Sequence, residues 1–151
     1  MTHSTHTSLR LWLRLLTCTK LIENRVRSQL RDSFETTLPR FDLLAQLYRH
    51  PEGLKMTELS QLLMVTNGNV TGVTDQLEKD GLVERVALAG DRRAYIVRLT
   101  AIGRDTFETM ASLHEAWIID AMSSLTAAEQ QQLYDLLSKL KQPLQEKALE
   151  K

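Results

Sequence analysis

The chain has one cysteine, Cys18, in 151 residues. This excludes an internal disulfide framework and any cysteine-based zinc site, and it fits a reducing cytoplasm. Glycine (6) and proline (3) are scarce, and aromatics make up only 5%. So few turn formers and rings argue against a sandwich or barrel and for a mainly helical fold. No apolar run exceeds four residues, so no transmembrane helix is expected. Arg10 and Arg14 interrupt what would be the apolar core of a secretion signal. The basic, acid-poor start has some transit-peptide character, but an amphipathic first helix in a cytoplasmic protein is the simpler expectation. There is no Gly-rich phosphate loop and no Ser or Cys nucleophile motif. His3 and His6 sit in a tail, and His50 and His114 have no neighbouring ligand set. The expectation is no enzyme, no metal and no cofactor.

What is present is a 42% hydrophobic fraction, enough for a packed core, and a net charge of zero that hides an asymmetry. Residues 1–31 hold six basic and one acidic side chain, and residues 81–104 hold five and two. Residues 32–80 and 105–151 each hold four basic and eight acidic ones. Salt screens charges beyond ~8–10 Å, so local field matters at a contact and neutrality does not exclude a polyanionic partner.

Apolar residues recur at helical spacing from Leu9 to about Phe34. Pro39 opens a second helix and Pro51-Glu52-Gly53 ends it. Two short helices follow, MTELSQLLMV and TNGNVTGVTDQLEKDGL, joined by a three- to four-residue turn. Val70, Val73 and Leu77 give the second a narrow apolar face, and Gly81 suits the position after its end. VERVALA and AYIVRL read as a hairpin around a GDRR tip. Thr100 is a natural N-cap for a long helix. Thr126 with Glu129 forms a capping-box pattern for a last helix, to about Leu140, before a frayed KALEK tail. The order is mainly α, with a small β part: a winged helix-turn-helix with extra helices at both ends.

The outward residues expected on the second short helix are Asn67, Gly68, Asn69, Thr71, Gly72, Thr74 and Gln76. Amides can pair bidentately with adenine, and threonine can meet a thymine methyl. A polar helix that needed only solubility would use Glu and Lys. Gly68 and Gly72 each cost roughly 1 kcal/mol relative to Ala in a helix interior. The hairpin tip supplies the missing charge. Arg92 and Arg93 can reach a narrow minor groove, and Asp91 can orient an arginine. An ordinary polar turn is the bland alternative for the tip.

With these segments, NGNVTGVTDQLEKDGLVER and GDRRAYIVRLT, the chain resembles the MarR family of transcriptional regulators over roughly residues 9–142. The second segment carries the family's Asp-x-Arg followed by Leu-Thr: Asp91, Arg93, Leu99 and Thr100. The resemblance implies a homodimeric DNA-binding regulator, most simply a repressor on a palindromic operator. Residues 1–36 would form an N-terminal dimerisation helix, 37–100 the winged domain, and 101–151 C-terminal dimerisation helices. The recognition helices would enter successive major grooves, with Arg93 in the flanking minor groove and Asp91 orienting it. Many members carry basic residues where Gly72 and Gln76 stand, which shifts weight to the wing.

The resemblance also implies a small effector bound between the dimerisation helices and the winged domain. LPRFDLLAQLYRHPEGL and TNGNVTG look like the subgroup that regulates aromatic-acid catabolism, some members of which respond to aryl-CoA thioesters. On a helical wheel Arg10, Arg14 and Arg25 share one stripe, and Arg27 and Arg31 make an i, i+4 pair. Guanidinium forks suit a polyphosphate, although pairing with acidic C-terminal helices is the blander fate. Phe34, Phe41, His114 and Trp117 could line an aromatic pocket beside Arg25 and Arg31, with core packing as the alternative. Trp12 and Trp117 suit a dimer core. Cys18 could serve a peroxide sensor, or be an inert buried thiol. A winged fold that binds protein instead of DNA is the rival from another class.

Overall fold

A computed structural model of the chain describes residues 2–150, with the side chains of residues 2–5, 91 and 92 outside that description. Helix α1 (Thr2–Phe34) is followed by α2 (Leu38–Arg49), β1 (Leu54–Lys55), α3 (Met56–Leu63) and α4 (Asn67–Lys79). Strands β2 (Val83–Leu88) and β3 (Asp91–Leu99) lead into α5 (Ala101–Ala121) and α6 (Ala127–Leu149). The chain divides into two compact units, residues 1–114 and 115–151.

The first unit gathers its core from α1, α2, the helix pair and the sheet. Val26 and Leu30 of α1 are buried, as are Phe41, Leu43, Leu44 and Leu47 of α2. Leu59, Val70, Leu77, Val83 and Val97 complete the centre, with Phe107 and Met110 from α5. Burying a side chain of this size stabilises the fold by about 1.5–3 kcal/mol each. Local chemistry sets the helix starts. Thr37 caps α2 by accepting from the Arg40 amide at 3.4 Å, with Pro39 in the first turn, where its missing donor costs nothing. Thr66 caps α4 through the Asn69 amide at 3.4 Å. Thr126 and Glu129 form the expected capping box of α6, at 3.2 and 2.9 Å.

The wing is a three-stranded antiparallel sheet of order β1-β3-β2, one strand more than the expected hairpin. Leu54 pairs with Val97 and Lys55 with Ile96. A two-residue strand leaves almost no periodicity to read, hence its omission from the sequence pattern. Gly53 turns the chain into it at φ +96°, and a Cβ there would lie 2.9 Å from the Val97 carbonyl oxygen.

Helix α5 starts against the end of α4. The Thr100 amide donates to the Leu82 carbonyl at 3.1 Å, and Thr100 Oγ1 donates to the Gly81 carbonyl at 2.7 Å. The same hydroxyl oxygen accepts from the Gly103 amide at 3.0 Å, the N-cap that the sequence pattern implied. Gly103 permits this closeness, because a Cβ would sit 1.8 Å from the Leu82 carbonyl oxygen.

Helix α6 continues to Leu149, past the expected stop near Leu140 and into the KALEK tail. Pro143 lies inside it, and the helix runs on without that one backbone donor. None of its residues is buried. Among the described residues no helix is long and apolar enough to cross a membrane.

Candidate nucleic-acid interface

Helices α3 and α4 meet at a tight turn. Met64 ends α3 in the left-handed region at φ 56°, and Ser60 Oγ donates to the Val65 carbonyl at 2.7 Å. Helix α4 packs Val70, Val73, Thr74 and Leu77 inward, which is i, i+3, i+4, i+7 spacing. Its exposed face carries Asn67, Gly68, Asn69, Thr71, Gly72 and Gln76. Thr71 Oγ1 donates to the Asn67 carbonyl at 2.9 Å. A Cβ at Gly68 or Gly72 would meet nothing within 4 Å, so this face is open.

Thr74 corrects the expectation. It is fully buried, and its hydroxyl donates to the Val70 carbonyl at 2.7 Å. The bond satisfies the hydroxyl inside the helix and offsets the cost of burying it. Thr74 therefore belongs to the core stripe and not to the outward set.

Two arginines outside the expected set hold α4 in place. Arg40 of α2 donates to the Asp80 carboxylate at the end of α4, to Thr36 Oγ1 at 3.2 Å and to Gln76 Oε1 at 3.5 Å. Gln76 is thus engaged on one side by α2. Arg85 of β2 reaches Asp75 at 2.5 Å and Glu78 at 2.7 Å, and its guanidinium lies 5.5 Å from the Tyr95 ring centroid. The Asp75 hydrogen bond, opposed by burial and aided by Tyr95 and Glu78, makes Arg85 still harder to deprotonate. The ion-pair partners are separated by 7 to 40 positions, so no local pattern in the sequence announces them.

On the wing, Glu84 and Arg98 face each other across β2 and β3 and pair at 2.6 Å. The register jumps at the tip: Ala87 pairs with Tyr95, but Leu88 pairs with Asp91. Residues 92–94 therefore have no counterpart on β2, a bulge that aims this backbone away from the ladder. The turn itself is Ala89-Gly90, and the two arginines stand at the start of β3. Arg93 is exposed. The side chains of Asp91 and Arg92 lie outside the described residues, as does that of His3.

The six residues considered for an effector lie in several environments. Arg25 and Arg31 are exposed on α1, with Arg31 Nε 3.5 Å from Asp32 Oδ1. Phe34 is half-buried and lines a crevice of about 260 Å³ with Arg40 and Asp80. Phe41 is buried, its ring 5.4 Å from Phe107 and 4.6 Å from His114, so it serves the core rather than a pocket wall. Burial lowers the His114 pKa below its ordinary value. Trp117 is half-buried and belongs to the second compact unit. Cys18 is exposed on α1 in the single chain. Among the described residues no group of three or more His, Cys, Asp or Glu could hold a metal ion.

A larger cavity of about 350 Å³ runs along the inner edge of α4. Helix α2 supplies Pro39, Asp42 and Leu43, and α4 supplies Asn69, Val70 and Val73. Leu63 and Val65 close one end. Asp42 is exposed to solvent as a residue, yet the partial burial of its carboxyl raises the pKa to about 6. Glu23 of α1 pushes it the same way and Arg27 opposes. Asp42 gives only one signal in the sequence, a carboxylate inside the apolar stripe FDLLAQL.

Comparison with known proteins adds to this geometry. The family model described as MarR family matches residues 36–95. The chain is 33% identical over 118 residues to the uncharacterized HTH-type transcriptional regulator YkoM of Bacillus subtilis, covering 78% of this chain and 74% of that one. It is 30% identical to a MarR family transcriptional regulator from Silicibacter pomeroyi, with a TM-score of 0.77 over 93% of this chain and 97% of that structure. It shares its fold with Sco3205 of Streptomyces coelicolor, a MarR family regulator crystallised with DNA. That match has 24% identity and a TM-score of 0.80, over 91% and 87% of the two chains.

Proposed function

The chain belongs to the MarR family of transcriptional regulators, which are not enzymes, and from that premise we propose that it is a homodimeric repressor of a palindromic operator, released by a small effector. The observation that carries the DNA-binding part is the open face of α4. Asn67, Asn69 and Thr71 stand exposed on it without a charged neighbour on the same face until Asp75, which Arg85 engages. Such a face reads base edges by amide and hydroxyl contacts, while backbone affinity comes from elsewhere. The wing supplies it through Arg93, with Arg92 and Asp91 beside it in sequence.

Residues 1–36 and 101–151 serve dimerisation and 37–100 serve DNA binding. Supporting this, Leu9, Leu11, Trp12 and Leu13 of α1 are each more than half exposed in the single chain. Helix α6 likewise exposes Tyr134, Leu136 and Leu144 at 60% or more. Apolar surface on this scale calls for a partner. The effector site is the cavity beside α4, because its wall includes Asn69 and Val70 of the reading helix. Acting on chromosomal DNA places the protein in the cytoplasm.

Fluorescence anisotropy on the palindrome upstream of the chain's own gene, across a salt series, tests the reading. Specific binding is expected, with log affinity falling by about 0.9 per phosphate contact per decade of salt. Arg93→Ala should weaken it by about tenfold or more at low salt. No sequence preference at any salt, and no effect of Arg93→Ala, would favour a protein-interaction module instead.

A further inference from the structure

We propose that the cavity beside α4 takes a small amphiphilic amine, its apolar body against Leu43, Val65, Val70 and Val73 and its ammonium group on the Asp42 carboxylate. This rests on the reading above that the cavity is the effector site. It departs from the aromatic-acid and aryl-CoA expectation of the sequence, because Arg25 and Arg31 are not among the residues lining this space.

Two observations carry the ligand class. The lining holds one ionisable group, Asp42, and one amide, Asn69; the other side chains are apolar. An anionic ligand would find no basic partner in that lining and would meet Asp42 with like charge, a repulsion that strengthens as water is displaced. A neutral apolar ligand would fill the walls and leave the carboxyl further desolvated without a partner. An ammonium group instead makes a charge-assisted hydrogen bond with it. The volume of about 350 Å³ lies at the small end of ligand pockets, which suits one ring or a short branched chain with a single head group.

The charged neighbours are consistent with this. Glu23 on α1 adds negative field at Asp42, and Arg27 on α1 opposes it without being among the lining residues. Asp42 is exposed at the rim of the cavity, where partial burial and Glu23 disfavour its ionised form and push its pKa up to about 6. A cation would favour that form. Asn69 gives the site its link to DNA, since it lines the cavity and also stands exposed near the start of α4. A ligand seated there competes for the geometry of the reading face.

The test uses the full chain at neutral pH and three probes with one shared body: 2-phenylethylamine, 2-phenylethanol and phenylacetate. Calorimetry should rank the amine at least about tenfold tighter than the alcohol, with phenylacetate weakest. Asp42→Asn should bring the amine down to the level of the alcohol and leave the alcohol unchanged. In the wild type, amide NMR shifts on adding the amine should centre on Asn69 and Val73, a readout that needs no variant. Phenylacetate binding as tightly as the amine would overturn the proposal. So would an amine affinity indifferent to Asp42→Asn, shifts elsewhere on the chain, or no binding of any probe at about 10 mM. Operator anisotropy with the amine added separates the two claims. Asp42-dependent binding that leaves DNA affinity unchanged would sink the effector reading alone and leave the ligand class standing.

Discussion

The Arg85 guanidinium lies 2.5 Å from the Asp75 carboxylate, so one ion pair ties the first wing strand to the helix proposed to read DNA. Glu78 completes the clamp at 2.7 Å on the other arm of the same guanidinium. The relative orientation of α4 and the wing therefore depends on a planar fork that lysine cannot imitate.

Arg85→Lys should consequently cost little stability, about 1 kcal/mol or less, because both carboxylates are substantially exposed. Operator affinity should fall by about fivefold or more, since two contact elements lose their common bearing. Thermal melts beside anisotropy titrations check this. Equal affinity for wild type and variant would mean that the clamp does not set the DNA-binding geometry.

Thr74→Val keeps the shape of the core stripe and deletes the hydroxyl that serves the Val70 carbonyl. Stability should change by about 1 kcal/mol or less, because that carbonyl keeps its helical environment. DNA affinity should be unchanged, while Asn69→Ala and Thr71→Ala should each lower it severalfold. A DNA defect in Thr74→Val at normal stability would show that Thr74 reaches the operator after all.

Two glycines should respond in opposite ways to alanine. At Gly72 a Cβ meets nothing within 4 Å, so Gly72→Ala should raise stability by up to about 1 kcal/mol through helix propensity. At Gly103 the same atom would sit 1.8 Å from the Leu82 carbonyl oxygen. Gly103→Ala should cost about 4 kcal/mol or more, or abolish soluble expression. Urea midpoints of the two variants against wild type decide it.

Asp42 and His114 should tilt the pH profile of stability in opposite directions. The folded state raises Asp42 from 3.8 to about 6, so its favourable contribution is complete below 3.8 and is lost as pH rises through about 6. His114 is lowered from 6.5, so its contribution is complete above 6.5 and is lost as pH falls below it. Asp42 has an exposed edge, and solvent screening limits its effect to about 1 kcal/mol. Asp42→Asn should therefore gain on wild type near pH 7 and lose that gain near pH 4. Urea unfolding across this range measures it, and parallel curves would show that Asp42 titrates like a free carboxylate.

The helices and the wing were legible because their signals are local. Capping threonines at 100 and 126, the glycine at 81 and the alternation around Tyr95, Val97 and Leu99 each occupy a few neighbouring positions. Thr74 was misread although the spacing pointed inward: four residues after Val70 and three before Leu77 is the buried stripe, and its polar side chain outweighed that geometry. The clamps of Arg40 and Arg85 were illegible for a different reason. An arginine in a sequence has many carboxylates to choose from, and only the folded chain selects Asp80 for one and Asp75 for the other. Asp42 was hidden likewise, because crowding by α4 and the field of Glu23 exist only after folding.

The junction of Gly103 with Leu82 also has a mechanical meaning. Thr100 fastens the first turn of α5 to the exit of α4 through two hydrogen bonds, and Gly103 leaves no side-chain cushion between the backbones. Helix α5 has 21 residues and so extends about 30 Å from that fastening. The joint sets the direction in which α5 leaves the winged domain, and substitutions that add slack there should loosen the bearing of that first turn on the exit of α4.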